Sequence, residues 1–117
     1  MVSFLKETNT TKEKIEEKPV MKMEIRYKEV TDEDEQQALN NLKEVIDQLF
    51  VRFGISNKEG NFYIGNNDAH DYARFGMVFE ALSDWRVFLK CVEVWNFYNE
   101  HGVVENFGIV CKKKVGV

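Results

Sequence analysis

Cysteine is scarce in this sequence. Cys91 and Cys111 are the only two, and no CxxC pair occurs. The local knuckle and finger spacings of zinc sites are therefore excluded, and both residues read as buried free thiols. Histidine is equally scarce, with His70 and His101 alone. No apolar run reaches transmembrane length. The opening stretch MVSFLKETNTT is too polar for a secretory signal, so the default location is the cytoplasm. GxxxxGK[ST], GxGxxG and HExxH are all missing, which leaves motif-bearing nucleotide chemistry without support. A broad positive surface is missing too, because the net charge is -4. Lys112, Lys113 and Lys114 form the one local basic run and the candidate contact for weak nucleic-acid association.

Rings are plentiful. Nine Phe, four Tyr and two Trp stand among 117 residues, of which 44% are hydrophobic. A core is available without a metal or a disulfide, each buried ring contributing roughly 2–3 kcal/mol. Residues 1–20 read as a flexible N-terminal tail. The evenly mixed charges of KETNTTKEKIEEK leave little to bury there, although a short helix from Thr11 is conceivable. Residues 21–117 read as one domain.

Met21 to Val30 alternates with period two, placing Met21, Met23, Ile25 and Tyr27 on one face, and predicts a half-buried strand. Thr31 and Asp34 have capping-box spacing, and the acids from Asp32 to Glu35 suit a helix N-terminus. Ala38, Leu39, Leu42, Val45, Ile46, Leu49, Phe50 and Phe53 then form one helical stripe that stops at Gly54. SNKEGN is a turn by composition, and Phe62 to Ile64 a very short strand. A helix follows from Ala69 or His70 to Leu82, with Tyr72, Phe75, Gly76, Phe79 and Leu82 on its inward side. Trp85 to Tyr98 sorts into a broad apolar arc and a narrow polar one at 100° per residue, and predicts the helix around which the rest packs. Val103 to Cys111 reads as a strand joined to the one at Met23 to Lys28. The expected fold is α+β: two or three helices on a small antiparallel sheet of two or three strands.

The adjacent His70 and Asp71, with Asp68 and His101, are the polar candidates for an enzyme or ligand pocket. A composite zinc site from His70, Cys91, His101 and Cys111 has suitable ligand types but no local spacing, and no metal or cofactor is expected. Phe97 falls on the polar arc of the Trp85 helix, and Tyr63 opposes Phe62 and Ile64 by strand parity. Tyr63, Phe97 and Tyr98 are accordingly the candidates for an exposed aromatic interface. The function that follows is a small non-catalytic module that binds another protein or a second copy of itself, away from membranes.

Overall fold

The strand predicted by alternation forms as β1, Lys22–Tyr27, with Met23 and Ile25 buried. The computed structural model describes residues 19–117. All but the last two residues of the expected tail, including the alternative of a short helix from Thr11, lie outside the described residues. After β1 come helix α1 (Glu33–Arg52), strands β2 (Asn57–Glu59) and β3 (Phe62–Ile64), and helices α2 (Asp71–Leu82) and α3 (Arg86–Cys91). Strands β4 (Val92–Tyr98) and β5 (Val104–Asn106) and helix α4 (Phe107–Val115) complete the chain. The sheet order is β2-β3-β1-β4-β5, antiparallel throughout. The class is α+β as expected, but five strands and four helices exceed the expected counts. No described helix is long and apolar enough to cross a membrane.

Helix α1 starts one residue later than the capping-box reading placed it. Asp32, not Thr31, is the cap, and its Oδ2 accepts the Glu35 N–H at 3.0 Å. Leu39, Leu42, Ile46 and Phe50 are buried, and Phe50 stacks on Tyr63 with ring centroids 3.7 Å apart. SNKEGN is more than a turn: β2 occupies its middle and pairs with β3. Gly60 turns the hairpin at φ +60, the sign a type II′ turn needs at its first central residue.

The segment Trp85 to Tyr98 is not one helix. It breaks at Cys91, and Val92–Tyr98 becomes the strand that pairs with β1. The physical reason is a bulge. Arg26 opposes Val94 and Tyr27 opposes Val92, which leaves Glu93 as an extra residue. Val92 and Trp95 therefore both point into the core, although three positions separate them. Beyond the bulge, ordinary alternation buries Trp95 and Phe97. Burial at 88, 92 and 95 imitates a helical repeat.

The segment Val103 to Cys111 is also divided, and it does not pair with β1. β5 pairs with β4, which stands between them. Asn106 then caps α4, its Oδ1 accepting the Ile109 N–H at 3.1 Å. β5 covers only Asn96–Tyr98 of the outer β4 edge. Helix α4 protects the remainder: Lys112 Nζ donates to the Val92 carbonyl, and Gly108 lies against the Trp95 backbone.

The bulge and the Arg26–Glu93 ion pair can be separated. That pair spans 3.3 Å between half-exposed side chains, so Glu93→Ala should change stability by less than about 1 kcal/mol. Deleting Glu93 removes the extra residue and leaves Val92 two positions before Trp95, so ordinary alternation keeps both on the core face. That variant should stay folded and lose no more than about 1–2 kcal/mol. Urea unfolding of the two variants checks this.

Candidate functional site

Helix α2 lies over the β4 end of the sheet. Phe75 and Phe79 on its inner side reach Phe97 at 5.4 Å and Trp95 at 5.7 Å between ring centroids. Phe107, at the start of α4, stacks parallel to Phe97 at 5.8 Å and meets Phe79 at 4.5 Å. These rings do not close over one another. They leave a groove of about 240 Å³ lined by Tyr72, Phe75, Gly76, Phe79, Phe97, Glu105 and Phe107.

Two features keep the groove open. Gly76 sits in the middle of α2, and a Cβ built there would meet nothing within 4 Å. Tyr72 stands 66% exposed at the rim, its ring 6.3 Å from Phe97. One charge faces the apolar lining. Glu105 lies directly across from Phe97 in the β4–β5 register, and strand parity puts both on the same side of the sheet. The groove therefore offers aromatic faces for an apolar group and one carboxylate for a cation beside it.

The start of α2 is fixed by a polar knot. Asp71 is 2% exposed. Its carboxylate accepts the N–H groups of Asn66 at 2.9 Å, Asn67 at 2.7 Å and Asp68 at 3.4 Å. Arg74 Nη1 donates to it at 2.9 Å and to Asp68 at 2.7 Å. Gly65 makes room, since a Cβ there would stand 2.6 Å from Asp71 Oδ2. Asp71 thus spends its acceptors on the turn between β3 and α2. The Arg74 hydrogen bond, aided by the His70 N–H, holds Asp68 below the usual carboxylate range.

The other polar candidates do not join this knot into a pocket. His70 occupies the α2 N-cap position without a side-chain cap bond. His101 lies in the β4–β5 connection, not at a helix end, with Nε2 3.8 Å from Glu100. Neither histidine lines the groove. Among the described residues no three His, Cys, Asp or Glu side chains gather where they could hold a metal ion. Burial pushes the Cys111 thiol up, while Cys91 is partly exposed.

The aromatic candidates are redistributed. Tyr63 and Phe97 are buried, so neither is a surface ring. Tyr63 covers the sheet under Phe50 and donates its hydroxyl to Asp47. Burial, then that hydrogen bond, drives its pKa well above the ordinary phenol value. Phe97 points inward because β4 is a strand, and it forms the floor of the groove. Tyr98 lies half-buried on the opposite sheet face, donating to Glu24 at 2.9 Å. Of the three lysines, Lys113 and Lys114 are exposed in the last turn of α4. Lys112 is taken up by Val92, and desolvation lowers its pKa. Sequence reasoning placed Tyr72, Phe75, Gly76 and Phe79 on an inward face but missed Glu105 and Phe107 as their neighbours. A glycine amid rings at mid-helix was the available signal.

The chain matches no family model, no curated protein and no solved structure.

Two glycines should respond in opposite directions. Gly65→Ala drives a methyl into the Asp71 carboxylate and should cost about 1–3 kcal/mol. Gly76→Ala adds helix propensity in open space and should stabilise by about 0.5–1 kcal/mol. Thermal unfolding of both reads this contrast. The depressed Asp68 pKa contributes stability above the ordinary carboxylate range, and that stability is lost as pH falls through the lowered value. Asp68→Asn should therefore flatten the acid limb of a stability–pH profile.

Proposed function

We propose that this protein is a binding module that takes an apolar anchor side chain of a protein partner into the groove between α2 and α4. The observation that carries the reading is the groove itself: five aromatic rings converge on a space that Gly76 leaves uncovered. Aromatic faces supply contact area at small entropy cost, and a concave apolar site with one fixed charge orients what enters it. Glu105 selects a basic residue beside the anchor. A short extended segment carrying Phe or Leu next to Arg is the partner chemistry that fits. β5 lies beside the groove as the last strand of the sheet, where an extended backbone can align.

The test is an NMR titration of the labelled full chain with short peptides that pair Phe or Leu with either Arg or Glu. Amide shifts should cluster at Tyr72, Gly76, Glu105 and Phe107 with the arginine peptides. Gly76→Phe should abolish them while the protein stays folded. Glu105→Lys should weaken the arginine peptide roughly fivefold, the effect of losing about 1 kcal/mol from a rim ion pair. Shifts scattered over the surface, or binding that Gly76→Phe leaves intact, would refute the assignment.

A further inference from the structure

The helical layer leaves one flank of α1 without a cover. Leu39, Leu42, Ile46 and Phe50 are the residues this helix buries. A second line consists of Glu35, Ala38, Leu42, Val45, Leu49 and Arg52. Its spacing alternates three and four without a break, the a/d pattern of a helix–helix seam. The middle of the seam is apolar: Leu42 lies at its base, only 8% exposed, and the residues flanking it are open to differing degrees. Val45 is 49% exposed, Ala38 is exposed, and Leu49 is half-buried. On the opposite bank Val87 of α3 is 56% exposed, and Trp85 just before it is half-buried. Two hollows lie between the banks. One of about 450 Å³ touches Ala38, Leu42 and Val87. The other, of about 440 Å³, touches Val45, Leu49 and Trp85.

The seam is complementary to its own reverse. Under a two-fold axis between positions 43 and 44, Leu42 meets the partner's Val45 and Ala38 meets the partner's Leu49. Glu35 meets the partner's Arg52, once at each end. Every layer then sets an a position against a d position, and small Ala38 faces larger Leu49. A parallel pairing in register sets Glu35 against Glu35 and Arg52 against Arg52, so charge selects the antiparallel form. Neither Glu35 nor Arg52 forms an ion pair among the described residues. Opposed macrodipoles add to the same preference.

We propose that α1 is a dimerisation helix. It pairs antiparallel with α1 of a second copy of this chain, which lies in the valley between α1 and α3. The assignment does not depend on the groove beneath α2, and the two surfaces can be occupied together.

Sedimentation equilibrium on the full chain, from low micromolar to several hundred micromolar, tests it. The wild type should approach a dimer mass at the upper end. Val45→Glu should give a monomer whose far-UV spectrum and melting temperature match the dilute wild type. Glu35→Arg and Arg52→Glu should each weaken the dimer about tenfold, because each places two like-charge pairs in the interface. The double variant should recover affinity, because the pairs re-form with signs exchanged. If Val45→Glu fails to fold, the charge variants decide the question, since both residues are exposed on the helix surface. Three results would overturn the proposal: a wild type that stays monomeric at the highest concentration, a dimer indifferent to Val45→Glu, or charge reversals that do not rescue each other. Gly76→Phe should leave the mass unchanged, so failure of the groove reading and failure of this one are seen separately.

Discussion

Trp95 has to lie flat against the helical layer, and most of the architecture answers to that demand. Phe88 meets its ring edge-on at 5.2 Å, Phe107 at 5.3 Å, and Phe79 stacks at 5.7 Å. Those three residues come from α3, α4 and α2. One side chain therefore ties three helices to the strand beside β1. Its indole N–H finds no acceptor among the described residues. Packing area, not a polar anchor, keeps it there. The bulge at Glu93 lets Val92 share the same face, and Gly108 lets α4 approach the strand at Trp95.

The proposed binding surfaces lie where this packing stops. Around Trp95 the rings meet one another. Farther along β4, Phe97 has Phe75 on one side and Phe107 on the other, and Gly76 provides no side chain to close the gap. On the far side of the layer, α1 brings a wider apolar arc than the sheet can use. Ile46 and Phe50 are fully covered while Val45, one position from Ile46, is not. A helix resting on a sheet buries one stripe, so a second apolar stripe remains available to another chain.

The sheet margins follow the same economy of cover. β2 is short and carries Lys58 and Glu59, which discourages edge pairing. Lys58 also reaches Asp47 at 3.0 Å, tying that margin to α1. At the other margin, β5 protects one end of β4 and α4 the other. Lys112 is thereby drawn from the basic run into a structural role, leaving Lys113 and Lys114 at the helix end where their charge suits the dipole.

Local pattern alone determined β1, α1, β3 and α2, because each carries a repeat or a cap that its own residues complete. The α+β class and the inward side of α2 followed from those repeats. What needed tertiary structure was every position whose partner is distant in the chain. Val92 and Trp95 look helical until β1 lies beside them and a bulge absorbs Glu93. Ile109 and Val110 look strand-like until Asn106 caps a helix that seals the β4 edge. Phe97 looked like a misplaced surface ring for the same reason, since its face is set by strand pairing. The groove was legible only in part: Gly76 marked one wall, while Glu105 and Phe107 arrive through β4–β5 register and the packing of α4. Side-chain periodicity records which face of an element is apolar. It does not record which neighbour fills that face, and the neighbour decides where a ring is buried and where a cavity opens.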